Sequence, residues 1–354
     1  MNVEPARGLR YPWDEPPPHG EPRLVAPGIE WLRLPLPMAL DHVNCWLLDD
    51  ADGLCVVDTG FDTRKTRDLW RRALDGRRVA RVLVTHHHPD HVGLAGWFQQ
   101  EHGAELLMSR TAWLMARMLR LDEQDRPTPE TVAFWKGAGM DAAVLQQRMA
   151  KRPFNFADVV TALPVGFRRL TEGQTLRIGA RDWTIRMGNG HAPAHATLWT
   201  DGIVLGGDQL LPSISPNLGV YATEPEADPV ADWLHSCERL MAFAADGQLV
   251  LPGHKLPFTG LPLRLRQLID NHRGALARLE SHLSIPRTAA DCFVPLFRRQ
   301  IEGGQYGLAL VEALAHCQHL FHAGRATRTR REDGAWLYRA NGALSTGDTL
   351  RGIV

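Results

Sequence analysis

Residues 86–91, read as His86, His87, His88, Pro89, Asp90 and His91, place several metal-ligating groups in one short stretch with the pattern His-x-His-x-Asp-His. The stretch follows the apolar run RVLVT, so it leaves the end of an expected strand. Imidazoles at alternate positions there can converge on one ion. Asp90 and His91, turning into a helix expected to begin near Val92, can face a second. Three further candidates each follow a strand-like run: His191 after WTIRMGNG, Asp208 after GIVLGG and His254 after QLVLPG. Side chains at strand ends are held by rigid elements, which a metal site needs for its geometry. His102, His272 and His282 are also available, but they fall in helical stretches expected to be solvated. Imidazoles and carboxylates without thiolates suit zinc and also accept iron or manganese. A hydroxide bridging two such ions is nucleophilic at neutral pH, because coordination lowers the pKa of water from about 15.7 toward about 7. The chemistry expected is hydrolysis that needs no serine or cysteine nucleophile.

The elements that must position these groups follow from apolar patterning. EWLRLPL, VNCWLLDD, LCVVDTG and RVLVT read as strands with a helix from Thr63 to Leu74 among them, and TLRIG, WTIRMG, ATLWT, GIVLGG and QLVLP read as a second set. Two strand-rich halves imply two sheets packed face to face with helices outside. Between them, from Ser109 to about Phe156, helical spacing takes over, with Trp113, Met115, Met118, Leu119, Met140, Val144, Leu145 and Met149 as apolar points. These helices are expected to pack on the core, the alternative being a methionine-rich lid over an apolar ligand. Residues up to Pro27 are proline-dense and predict an extended strap or a disordered arm. After Phe258 come three helical patterns, within LRLRQLIDNHRGALARLESHL, around 289–302 and over 307–321. A hairpin of ATRTRRE and AWLYRA follows, joined at Asp333-Gly334. Three helices and a hairpin look like a winged helix.

Composition narrows the field. The 354 residues carry 40 Lys+Arg and 40 Asp+Glu, so no whole-chain field attracts a polyanion. Lys65, Lys136, Lys151 and Lys255 are the only lysines, so an arginine-rich stretch is no signal in itself. Cys45, Cys55, Cys237, Cys292 and Cys317 are scattered and never spaced Cys-x-x-Cys, which argues against a disulfide framework and points to a reducing cytoplasm. No apolar leader or membrane-length stretch is present, so no membrane partner is expected.

The motifs THHHPDH, GHAPAH, GGDQL and LPGHK, in that order over residues 29–258, resemble the metallo-β-lactamase superfamily. The resemblance implies an α/β fold: an αββα sandwich over residues 28–262 with a helical insertion at 109–160, after a Pro-rich extension at 1–27. It also implies that His86, His88 and His191 bind metal one, that Asp90, His91 and His254 bind metal two, and that Asp208 bridges them. Asp58, ending LCVVD, matches the family's strand-end aspartate that supports the metal loop; the alternative is an ordinary Asp-Thr-Gly turn. Asp90, Asp58 and His195 are the residues expected to serve catalysis. His195 is expected either to contact substrate or to buttress the site.

Within the superfamily, ISPNLGVY, ADWLHSCERL and LVEALAHCQHLFHAG resemble the glyoxalase II-like branch with a C-terminal winged-helix domain, here 263–354. The sequence departs from that pattern at Gly188-Asn189, where Thr-Pro is usual, in its long insertion, and in lacking the basic glutathione-binding cluster. The expected function is a hydrolase with two divalent ions, Zn2+ foremost and Fe or Mn as alternatives, acting on a small thioester, ester or lactone with an apolar acyl part. The alternative is a metal-dependent endoribonuclease, since a winged-helix member of the family cuts single-stranded RNA and the hairpin carries Arg325, Arg328, Arg330 and Arg331. Glu332 and Asp333 dilute that patch. A third reading makes the winged helix a DNA binder and the sandwich a sensor; the full ligand set argues against it.

Overall fold

The computed structural model describes residues 8–342; residues 1–7 of the Pro-rich extension and 343–354 of the C-terminal domain lie outside the described residues. The chain forms two compact units, one of Met1–Asp125, Phe154–Pro216 and His235–Ile269, the other of Arg126–Pro153, Asn217–Leu234 and Asp270–Val354. These units cross the contiguous ranges expected from sequence, since 126–153 and 217–234 group with the C-terminal residues.

In the first unit, β1 (Arg23–Ala26), β2 (Ile29–Pro35), β3 (His42–Asp50), β4 (Gly53–Val57), β5 (Val79–Leu83), β6 (Glu105–Ser109) and β7 (Arg168–Leu170) pair in chain order as one seven-stranded sheet. The pairings up to β3–β4 are antiparallel and those from β4–β5 onward parallel. Parallel neighbours need crossovers. Those crossovers are α1 (Arg64–Leu74), then α2 (Pro89–Val92) with α3 (Ala95–His102), then the segment that opens with α4 (Arg110–Leu121). α1 shows why this sequence makes a helix there. Thr63 caps it by accepting the Thr66 N–H, Leu69, Trp70, Ala73 and Leu74 share its buried face, and Asp75 ends it in the left-handed region. The second sheet has the order β12-β11-β10-β9-β8, with β8 (Thr175–Ile178), β9 (Arg181–Gly188), β10 (His195–Thr200), β11 (Ile203–Gly207) and β12 (Leu249–Pro252).

Alternation along the strands separates two cores. Trp46, Leu48, Cys55, Val57 and Leu83 pack with Trp183, Ile185, Leu198 and Leu205 of the second sheet, while Val43, Cys45, Leu47, Leu54 and Val56 pack with Trp70, Trp97 and Phe98 from the helices. Each fully buried side chain of this size contributes about 1.5–3 kcal/mol. The described part of the proline-rich segment is an extended strap: Arg10 bonds with Thr259, and the Gly20 N–H donates to the Arg33 carbonyl.

The second unit is mostly helical. It contains α5 (Pro129–Gly137), α6 (Ala142–Met149), the start of α7 (Pro229–Met241), most of α8 (Leu261–His282), α9 (Phe293–Phe297) and α10 (Tyr306–His322), then a hairpin of β13 (Ala326–Arg330) and β14 (Trp336–Ala340). The hairpin loop runs over Arg331–Ala335, longer than the two-residue turn expected, with Gly334 at φ 91°. All five cysteines are free and buried. No helix among the described residues is long and apolar enough to cross a membrane.

Candidate metal centre

Val84 and Thr85 carry the chain from the end of β5 into His86. The helix that follows begins at Pro89 rather than near Val92, because proline at the first helical position loses no hydrogen bond and arrives with the right φ. Asp90 and His91 therefore lie in its first turn. The segment after β4 holds that turn in place. Asp58, at φ 60°, accepts the Thr85 N–H on Oδ1 at 2.8 Å and faces His91 Nδ1 with Oδ2 at 2.8 Å. The carboxylate puts the proton on His91 Nδ1 and leaves Nε2 for the site. Thr59 donates both its N–H and its hydroxyl to the His91 carbonyl, at 2.9 and 2.8 Å, and its Oγ1 accepts the Leu94 N–H at 3.0 Å.

Three overlapping groups of ligand atoms result, each with its atoms within 4.8 Å of one another: His86, His88 and His191; His86, His91 and Asp208; Asp90, His91 and His254. Nε2 of His86 and Nδ1 of His88 stand 3.0 Å apart. Asp208 reaches across all the groups, with Oδ2 3.5 Å from His191 Nε2 and 3.2 Å from His254 Nε2, and Oδ1 3.4 Å from His91 Nε2. Asp90 Oδ2 is 3.4 Å from His254 Nε2 and 3.6 Å from His91 Nε2. Every candidate ligand read from the sequence is brought into these groups or within 3.6 Å of their members, all in the first unit.

Each remaining ligand is held by its own loop. After β9, Asn189 accepts the Ala194 N–H on Oδ1 at 2.8 Å and donates its own N–H to Ser236 Oγ at 2.9 Å, which fixes the His191 turn without the proline usual there. His254 donates from Nδ1 to the His42 carbonyl at 2.6 Å. His195 has no exposed surface; its Nε2 accepts the Asp208 N–H at 3.1 Å and its ring stacks on His86 at 4.5 Å. That is the position of a buttress. His87 belongs to none of the ligand groups; its ring lies 4.7 Å from that of His88 and parallel to Phe156 at 6.5 Å.

Electrostatics divides the imidazoles. Burial, reinforced by neighbouring rings, holds His86 and His88 well below the usual histidine range, so both are neutral and ready to ligate. Burial also opposes charge on His91 and His254. There Asp208 outweighs it, aided at His91 by Asp58 and Asp90 and at His254 by Asp90, raising His91 well above its usual range and His254 to about 9. Burial likewise opposes the charged form of Asp208, yet His254 and His91 hold its carboxyl well below the usual carboxylate range.

The residues fit divalent cations. His91 Nε2 and Asp208 Oδ1 are buried with no hydrogen-bond partner, a costly arrangement that a cation between them relieves. The space beside them depends on glycine: a Cβ on Gly253 would stand 2.2 Å from Asp208 Oδ1 and 2.9 Å from His91 Cε1.

Sequence reasoning missed Thr85 and Thr59, which hold Asp58 and the His91 turn; their adjacency to the histidine run and to the Asp-Thr-Gly turn was the available signal. The other histidines lie elsewhere. His102 and His282 are partly buried, and His282 faces the Asp291 carbonyl at 3.1 Å. His272 is not solvated as expected. It is buried in the second unit against His316, because it lies on the apolar stripe of α8.

A family model for the Metallo-beta-lactamase superfamily matches residues 38–254, and one for the Metallo-beta-lactamase-like, C-terminal domain matches 276–341. A solved beta-lactamase domain protein from Burkholderia ambifaria is 37% identical with a TM-score of 0.86, covering 94% of this chain and 98% of its own. A metallo-beta-lactamase family protein from Thermus thermophilus is 27% identical with a TM-score of 0.74, covering 90% and 100%. The probable metallo-hydrolase YqjP of Bacillus subtilis is 25% identical over 252 residues, 68% of this chain and 76% of that protein. A hydroxyacylglutathione hydrolase of Pseudomonas paraeruginosa is 39% identical over 83 residues, 23% of this chain and 31% of that protein.

Proposed function

The chain belongs to the metallo-β-lactamase superfamily and is a metallo-hydrolase, and from that premise we propose that it uses two divalent ions to hydrolyse a thioester, ester or lactone with an apolar acyl part. The observation that carries the two-ion reading is the reach of Asp208, whose oxygens lie within 3.5 Å of nitrogens from His191, His91 and His254. Two ions held there supply Lewis-acid polarisation of a substrate oxygen and a water acidic enough to attack at neutral pH. The protein's own part is positional. Asp58 fixes the tautomer of His91, and His195 holds the Asp208 backbone through its N–H. Zinc best matches the donor set, with iron or manganese as alternatives.

Support for an acyl substrate comes from the short match to hydroxyacylglutathione hydrolases, whose named substrate is a thioester. Leu114, Met118 and Leu121 on α4 add to it, since they leave an apolar stripe exposed on the unit that carries the ligands. The endoribonuclease alternative needs free cations for phosphates. Arg325 pairs with Glu280, Arg328 with Glu226 and Arg331 with Asp333, which leaves Arg330 alone of the four without a carboxylate partner among the described residues. The helices and hairpin of the second unit support the winged-helix reading. Five buried, unpaired cysteines support a reducing cytoplasm.

The test is metal analysis of the purified chain together with a panel of acyl-CoA, acyl-glutathione, lactone and single-stranded RNA substrates. The expected result is about two ions per chain and metal-dependent hydrolysis of an acyl substrate with RNA left intact. A single ion overturns the dinuclear reading, and metal-dependent RNA cleavage without acyl hydrolysis overturns the substrate class.

A further inference from the structure

The two sheets are hydrogen-bonded to each other beside the metal centre, and one residue, Asn44, makes three of the bonds through its backbone and side chain. The Asn44 N–H, near the start of β3, donates to the Gly253 carbonyl at 2.7 Å, across to the turn that follows β12. Its side-chain Nδ2 donates to the Pro252 carbonyl at 3.0 Å and to the Lys255 carbonyl at 2.8 Å, on either side of His254. Trp31 Nε1 donates to Asn44 Oδ1 at 2.9 Å, so the amide is oriented with its nitrogen toward those carbonyls. His42 completes the clamp. Its Nε2 accepts the Lys255 N–H at 2.9 Å, and its carbonyl accepts from His254 Nδ1.

Asn44 has no exposed surface and lies on the face of β3 that packs on the second sheet, where Trp46 and Leu48 follow it. An amide costs desolvation at such a place, and an apolar side chain would pack there without that cost. What the amide adds is the hold on the turn. Lys255 sits at φ 69°, a left-handed conformation that a lysine keeps only when its surroundings impose it, and Asn44 supplies the bond to its carbonyl. Without Asn44, the buried Pro252 carbonyl and the part-buried Lys255 carbonyl lose these partners and the turn carrying His254 is free to relax. His86, His88 and His191 hang on other loops and have no contact with this amide.

We propose that Asn44 is a positioning residue for one of the two metal positions, fixing where His254 Nε2 meets Asp90 and Asp208. The inference rests on the two-ion reading above. It assigns Asn44 no contact with substrate.

The metal-free full chain, its Asn44→Ala variant and its Trp31→Phe variant are titrated with zinc alone by calorimetry and with cobalt alone by visible absorption. Wild type should show two binding events. Asn44→Ala should weaken one of them at least tenfold, the range seen when a group that orients a ligand is removed, and leave the other within about twofold. The turnover number should fall with little change in KM. Trp31→Phe keeps an aromatic ring but loses the N–H that orients the amide together with part of the buried indole, so it should weaken the same event, by a smaller factor, while leaving the other within about twofold. Equal losses at both positions, or wild-type affinities in the variants, overturn the proposal, because general loosening would not choose between ions. Trp31→Phe decides by the same criteria should Asn44→Ala fail to fold. Two wild-type events without selective loss defeat this inference alone, whereas a single wild-type event defeats the two-ion reading and this inference with it.

Discussion

Lowering the pH from 6.5 to 5 should destabilise a Glu312→Gln variant more than the wild type and a His316→Gln variant less, through a buried cluster in the second unit. His272 on α8 and His316 on α10 are 1% and 2% exposed, their rings stack at 5.4 Å, and His272 Nδ1 faces His316 Nε2 at 3.2 Å. Burial, aided by His316, pulls His272 down to about 3, and burial pulls His316 down to about 4. Each ring is neutral in the folded chain while its unfolded counterpart protonates near 6.5, so stability is full above 6.5 and drains as pH falls toward the folded value. With 1.36 kcal/mol per unit of pKa difference, integration from 6.5 to 5 gives a loss of about 1.5 kcal/mol per ring.

Glu312 works in the opposite sense. Burial, opposed by the Asn217 amide at 2.7 Å, pushes its carboxyl up to about 7, so the folded state takes up a proton before the unfolded state does, and stability rises as pH falls from 7 to 4.5. Its residue is only partly buried, so its share over the same window is discounted to about 1 kcal/mol. Removing it should steepen the acid loss by about 1 kcal/mol, and removing His316 should shallow it by about 1.5 kcal/mol. Urea unfolding of the three full-length proteins at both pH values measures this, and groups common to all three cancel in the differences. Parallel pH profiles would refute the assignment of the cluster.

Gly253→Ala should fold but lose most of its bound metal, because the added Cβ would stand 2.2 Å from Asp208 Oδ1; metal content beside a thermal melt checks it, and wild-type content would show that the site can give way. His195→Phe keeps a ring beside His86 and removes the acceptor of the Asp208 N–H. It should weaken metal binding by about 10–100-fold with KM little changed, and a KM effect without loss of metal would return His195 to the substrate-binding role.

What the sequence discloses and what it conceals follow from how tightly chemistry restricts residue type. Metal ligation admits few side chains, so histidines and aspartates at the ends of strand-like runs could be read directly, and all of them meet in the first unit. The supports of those ligands are less restricted. Thr59, Thr85 and Asn44 act through generic hydroxyls and an amide, and in sequence they look like any polar residue at a strand end. β6 and β7 escaped for another reason: LLMS runs straight into α4, and β7 has three residues, too few to show a period. The grouping of 126–153 with the C-terminal residues was also hidden. A helical period says which face is buried, never against what.

His272 marks a case in which the signal was present. Taken as one helical histidine among several, it is an available imidazole expected to be solvated. Yet Leu265, Leu268, His272, Leu276 and Leu279 recur at intervals of three and four along α8, and all of them are buried. A histidine within such a stripe points into a helical core, where a neutral ring packs like an apolar residue and its nitrogens pair locally. His86, His88, His191 and His254 instead lie in turns just past a strand, and His91 in the short helix that follows one of those turns, where several ring nitrogens can converge on one point. Placement on a buried helical stripe or in the turn past a strand end separates His272 from His254. By that criterion His272 belongs to the stability of the second unit and His254 to the metal centre, so the pH profile of unfolding and the metal content should respond to different residues.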